Sequence, residues 1–231
     1  MKVNLVQTYI KEWKWFKKRI LNVFLIVLFI FILASSGSHF YFVKHPTKSI
    51  EKYNEFRNRS FQRIINNKNQ WEMFLIVFLN NTIVIFLNII LGFIPFLFIP
   101  LIRLFKLCLV NGIMSSYIQI NGLDLFSTLI LGLAPHGIIE LPLAIYSYSL
   151  GTMLSLQISK NIITSVITDS LIAKDMPLFG QTNEKESESF SDFISHYVKT
   201  WFIMLIPLTF VAAFVETFVT PLIVKNFLTY L

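Results

Sequence analysis

The chain has 231 residues, a formal net charge of +7, 55% hydrophobic residues and only 14% charged residues. A soluble domain carries about a quarter charged residues to wet its surface, so this composition, with a mean hydropathy of +0.63, excludes a soluble globular enzyme and a disordered chain. The single cysteine, Cys108, excludes an intramolecular disulfide and a multi-cysteine metal cluster, and the excess of 20 Lys and Arg over 13 Asp and Glu reads as membrane-flanking charge rather than a nucleic-acid surface.

In chain order, residues 1–19 form a basic N-terminus carrying Lys2, Lys11, Lys14, Lys17, Lys18 and Arg19. A first span is expected over 20–43, since roughly 20 apolar residues cross the hydrocarbon core. Its run Ile20–Leu33 followed by Ala34, Ser35, Ser36 and Gly37 imitates a secretion signal, but apolarity resumes at Phe40–Val43, and an uncleaved anchor is expected. Residues 44–71 read as a partly helical external loop near the headgroups.

The second apolar region stays uncharged from Met73 to Ile102 and has two readings. One is a long helix with a basic turn at Arg103 and Lys106; the other is a break at Gly92–Pro95, with both cations inside the third helix and snorkelling outward. Proline removes an amide donor and disfavours helix in the preceding residue, so a break within Gly92–Pro100 is expected, giving spans over 72–94 and 95–121.

A fourth span over 124–150 carries a Pro-His-Gly break, and residues 151–198 are expected to hold a cytoplasmic amphipathic helix (Leu150, Met153, Leu154, Ile158, Ile162, Val166 at helical spacing) and an acidic loop with Glu184, Glu186 and Glu188. The fifth span is expected over 199–224. The fold class is therefore all-α: a polytopic transmembrane helical bundle of about five spans with a broken fourth helix.

All four tryptophans, Trp13, Trp15, Trp71 and Trp201, fall at or just before span starts, where indole suits the headgroup zone. With the N-terminus inside, the 20 Lys and Arg divide 12 to 8 in favour of the cytoplasm, the basic loop Lys44–Lys68 keeping the bias modest. A multi-pass plasma-membrane protein with a cytoplasmic N-terminus is expected.

Ionisable groups inside spans are costly and by default mark a function or an obligatory partner. His136 and Glu140 stand four apart and share a face if the chain is helical after Pro135, while Glu216 lies in the last span. Pro135 frees a carbonyl, Gly137 relaxes the backbone and Pro142 adds a second kink, so this segment should face protein or water. Asn80, Asn81, Asn88 and Asn111 add amides within apolar stretches, and the expected polar network comprises His136, Glu140, Glu216, Asn80, Asn81 and Asn111.

Three roles fit this network: interhelical hydrogen bonding, a proton or substrate pathway, and intramembrane hydrolysis with His136, Glu140 and Glu216 holding a metal or acting as general base. Metal sites commonly use two or more histidines. His39 belongs near an interface and His45 and His196 in polar loops, so no metal, cofactor or catalytic residue is assigned. No Walker motif, GxSxG or HExxH occurs, and ATP, if used, would be handled by another subunit.

The run Leu133-Ala134-Pro135-His136-Gly137-Ile138-Ile139-Glu140-Leu141-Pro142 resembles the signature of the stage II sporulation protein M family. Asn80-Asn81 with Gly92 and Asn111-Gly112 resemble its middle spans, and Ala212-Ala213-Phe214-Val215-Glu216 with Pro221 its last span, covering roughly Trp71 to Val224. The resemblance implies about five helices, with motif residues Pro135, His136, Gly137, Glu140 and Glu216. It also implies a membrane scaffold that acts with peptidoglycan-remodelling partners in sporulation, or a component of gene clusters for circular bacteriocins. The low Gly and Ala and high Ile, Phe, Asn and Lys suit an AT-rich Gram-positive source.

The expected function is a non-enzymatic subunit of a bacterial envelope complex, a permease-like or scaffold component linked to export, such as bacteriocin maturation, secretion or immunity. The alternatives are a scaffold for cell-wall remodelling and an intramembrane hydrolase using His136, Glu140 and Glu216. The expected partners are the lipid bilayer and other membrane proteins, a separate ATPase subunit among the candidates, with a homo-oligomer left open and nucleic acid excluded.

Overall fold

The computed structural model describes residues 5–65, 69–128, 130, 134–168 and 190–228; Lys2, Lys68, Leu133, Lys174 and the acidic patch 184–189 of the sequence reading lie outside them. Among the described residues the α-helices are, in order, α1 Leu5–Trp15, α2 Leu21–Lys44, α3 Pro46–Ile65, α4 Gln70–Ile90, α5 Phe98–Ile120, α6 Leu125–Thr128, α7 Ala134–Thr168, α8 Phe190–Thr200, α9 Ile206–Phe214 and α10 Thr220–Leu228. π-helical turns at Phe16–Ile20, Trp201–Leu205 and Val215–Val219 join helices without interrupting them. Five continuous helical stretches among the described residues are long and apolar enough to cross a membrane: Val6–Lys44, Gln70–Phe93, Ile99–Ile120, Ala134–Thr164 and Asp192–Ile223.

Large apolar side chains cover the outside of these helices. Leu25, Ile26, Phe29, Ile32 and Leu33 on α2 and Leu75, Leu79 and Ile83 on α4 are exposed, Phe29 by 62%. A soluble protein does not present such a surface, and a bilayer does cover it.

From Leu5 onward the basic N-terminal segment is helical and runs into the first span through the π-turn Phe16–Ile20, so this charge-rich stretch is a packed element. One core cluster joins Trp15, Phe16 and Ile20 to Ile85 and Ile89 of α4, Leu143, Tyr146, Leu150 and Leu154 of α7, and Phe193 and Tyr197 of α8. A second, with Val27, Phe31, Leu104, Cys108, Ile145 and Tyr148, seals α2 and α5 onto α7. Trp15 is 8% exposed and stacks on His196, so it serves packing, whereas Trp71 is 60% exposed as expected of a headgroup-facing indole.

Between α4 and α5 the chain breaks at Leu91–Leu97, so Arg103 and Lys106 lie inside the third membrane helix, which is the second of the two readings of that stretch. Phe96 and Leu97 take positive φ (64° and 61°), a costly geometry for side chains of this size. Two serines of α7 stabilise the turn: the Phe96 amide donates to Ser159 Oγ at 2.6 Å, the Leu97 amide donates to Ser155 Oγ at 3.0 Å, and the Ser155 hydroxyl donates to the Ile94 carbonyl at 2.7 Å. Gly92 and Gly151 let the backbones of the second and fourth membrane helices touch here; a Cβ on Gly92 would overlap the Gly151 carbonyl, and one on Gly151 would overlap the Asn88 carbonyl.

α6 is described to Thr128 and α7 from Ala134, and Pro135, His136 and Gly137 are all helical within α7. α7 then continues through Pro142 to Thr168, which extends the helix well past residue 150. Just before α6, hydrogen bonds from the Ser127 hydroxyl and amide hold the exposed Asp124 carboxyl below its usual range.

Candidate intramembrane polar site

Three helical segments bring the site together. α7 contributes His136 and Glu140, one turn apart on one face. α4 contributes Asn81, the twelfth of 24 residues in the span Gln70–Phe93 and so ~16 Å along it from Gln70 at 1.5 Å per residue. The last membrane helix contributes Glu216, within the π-turn Val215–Val219. α7 and α9 both pack against α4, which fixes the three segments around one point.

One imidazole nitrogen of His136 and one carboxylate oxygen from each of Glu140 and Glu216 lie within 4.8 Å of one another. Asn81 Nδ2 donates to Glu140 Oε1 at 2.5 Å, and one carboxylate oxygen of Glu140 lies within 4.8 Å of one of Glu216. Two acids facing each other in a low-dielectric bundle require a shared proton or a cation, because two uncompensated negative charges there would cost several kcal/mol each.

The hydrogen bonds around His136 assign its tautomer. The Thr220 hydroxyl donates to the Val215 carbonyl at 3.1 Å, spending its only proton. Its oxygen lies 3.3 Å from His136 Nδ1 and accepts the Nδ1–H, so Nε2 keeps a lone pair. The π-turn makes this contact: the Thr220 amide also bonds back to Val215, five residues earlier, and the extra residue re-aims the side chains on either side of it.

The sequence-predicted residues divide here. His136, Glu140, Glu216 and Asn81 meet. Asn80, the next residue on α4, points to the exposed face, because adjacent helical positions are about 100° apart. Asn111 donates to the Leu107 carbonyl of its own helix at 3.0 Å and lines a separate cavity of about 650 Å³ with His39, Tyr53 and Tyr117. Thr220 was not legible as a site residue; its only signal is its position one turn after Glu216.

Two further polar centres lie elsewhere. Asn88, 1% exposed, accepts from Arg103 Nε at 2.7 Å and donates to Ser147 Oγ at 2.9 Å, which is where the third helix's arginine finds its partner. His196 is helical and packed rather than in a polar loop: its Nδ1 lies 2.7 Å from Glu12 Oε2, and Glu12 is fully buried.

The model of the family described as stage II sporulation protein M matches residues 20–221, which reaches into all five membrane helices and takes in every residue of the site. The chain belongs to the stage II sporulation protein M family. No curated protein and no solved structure matches it. Family membership together with five membrane-length helices makes it an integral membrane protein in contact with the lipid bilayer. Within the matched region, Pro135 and Gly137 flank His136 in α7, and His136 and Glu140 approach the acid of the last span.

Proposed function

We propose that the protein is a non-enzymatic, permease-like subunit of a bacterial envelope complex linked to export, with its N-terminus in the cytoplasm. The observation that carries this reading is the meeting of His136, Glu140, Glu216 and Asn81 halfway along a membrane helix. Helices held together by packing alone gain nothing from a second buried acid, and interhelical hydrogen bonds contribute only ~0.6–2 kcal/mol each. Paired acids with an imidazole are instead the usual equipment of an ion or proton pathway. The same comparison ranks a pure scaffold for cell-wall remodelling second, since a scaffold needs no such group. The 12-to-8 division of Lys and Arg supports the orientation.

The test is affinity purification of the tagged full chain from native membranes with mass spectrometry of what accompanies it. The expected result is recovery of partner membrane proteins, an ATPase subunit among them, lost on Glu140→Ala while the chain stays in the membrane. Recovery of peptidoglycan-remodelling enzymes alone would favour the scaffold. Intramembrane hydrolysis comes third, on the approach of three metal-ligating side chains within 4.8 Å; it predicts turnover of a lipid or peptide by the isolated chain, abolished by His136→Ala.

A further inference from the structure

We propose that His136, Glu140 and Glu216 bind one first-row divalent transition-metal ion, of the Zn²⁺ or Mn²⁺ kind, inside the membrane; this rests on the reading of that cluster as a working site. The donor set is one imidazole nitrogen and two carboxylate oxygens from two helical segments, and one ligand atom of each residue lies within 4.8 Å of the other two. Even at that upper limit an equilateral arrangement puts its centre ~2.8 Å from each atom, against ~2.0–2.2 Å for Zn–N and Zn–O bonds, so side-chain movements of ~0.7 Å close it.

Charge selects the occupant. Two carboxylates carry −2, and a divalent ion brings the site to neutrality, the state that a low-dielectric surrounding favours. A monovalent ion leaves one negative charge uncompensated. The imidazole selects within the divalent ions, since Mg²⁺ and Ca²⁺ take oxygen ligands and are not held through a ring nitrogen, whereas Zn²⁺ and Mn²⁺ accept mixed nitrogen and oxygen donors.

The surrounding groups are arranged as a metal's outer partners are. Metal-binding histidines donate their other ring N–H to an oxygen that fixes the tautomer, and Thr220 Oγ1, itself hydrogen-bonded to Val215, stands 3.3 Å from His136 Nδ1 where it can play that part for an Nε2 ligand. Metal-binding carboxylates are in turn hydrogen-bonded, and Asn81 holds Glu140 in this way. Three protein ligands leave a fourth position of a tetrahedral ion for water or substrate.

The experiment uses the untagged full chain in lipid nanodiscs, stripped with EDTA, dialysed, and titrated with ZnCl₂ and separately with MnCl₂ by isothermal calorimetry, with metal content read by mass spectrometry. One ion per chain is expected, with affinity reduced at least tenfold in each of His136→Gln, Glu140→Gln and Glu216→Gln and unchanged in His45→Gln, an exposed histidine outside the site. X-ray absorption of the zinc-loaded wild type, which needs no variant, is expected to show one imidazole with oxygen ligands and no sulfur. Less than one-tenth of an ion per chain in wild type, wild-type affinity in all three site variants, or a sulfur-containing or imidazole-free shell would overturn the proposal. Absence of metal binding together with loss of partner recovery in Glu140→Gln would overturn this inference alone; metal binding with partners retained in every site variant would overturn the functional reading alone.

Discussion

Among the described residues two places set a glutamate against a histidine, and they are built differently. Near the N-terminal end Glu12 meets His196 one to one, with Trp15 stacked on the imidazole at 4.8 Å between centroids and Phe193 and Tyr197 around it. At His136 two acids face one imidazole, and the surrounding groups are amide and hydroxyl rather than aromatic rings. The first pairs one acid with one imidazole and is enclosed by packing, as a latch between α1 and α8 should be. The second keeps an excess of negative charge that only a proton or cation removes, and charge left open in this way marks function rather than cohesion.

The comparison breaks most readily at the latch. Glu12→Ala removes a fully buried side chain and its contact with His196 from a packed cluster and is expected to lower the stability of the purified protein by ~2–5 kcal/mol, read by denaturation in detergent, while folded molecules still recover their partners. A loss below 1 kcal/mol would show that the pair contributes little to packing. Next in size, the double variant Ser155→Ala/Ser159→Ala removes the acceptors of the Phe96 and Leu97 amides and should cost ~1–3 kcal/mol per orphaned amide, seen as faster proteolysis within the α4–α5 turn. At the open site the stability effects are smaller. Asn81→Ala is expected to cost ~0.6–1.7 kcal/mol, the range of single interhelical hydrogen bonds in membranes. Glu140→Gln should change stability by less than ~1 kcal/mol, since it removes a charge and keeps the shape, yet abolish partner recovery from membranes; full recovery would place Glu140 with the latch.

The membrane fold was legible because lipid permits few solutions: long uncharged runs have to be helices, and prolines near Gly92–Pro100 have to fall at their ends. His136, Glu140 and Glu216 were legible for the same reason, as ionisable residues in an apolar run. Glu12 and His196 carry the same chemistry but sit in segments rich in charge, so nothing in the sequence singles them out. Trp15 likewise follows the headgroup pattern in sequence and is buried in the structure, because α8 supplies a packing partner, Phe193, from far along the chain. Asn80 and Asn81 are equivalent to a reader of composition; only the rotation of α4 against α7 separates them. The π-turn at Val215–Val219 was not legible, since its extra residue has no compositional mark, and with it went the role of Thr220.

Proximity of Glu140 and Glu216 is the claim on which the rest depends, and cysteine cross-linking in native membranes tests it most directly. In a Cys108→Ser background, the pair Glu140→Cys/Glu216→Cys is expected to form a disulfide with mild oxidant, identified by mass spectrometry of the linked peptides, and Asn80→Cys/Glu216→Cys is not. Linkage through position 80 with none through position 140 would contradict the account.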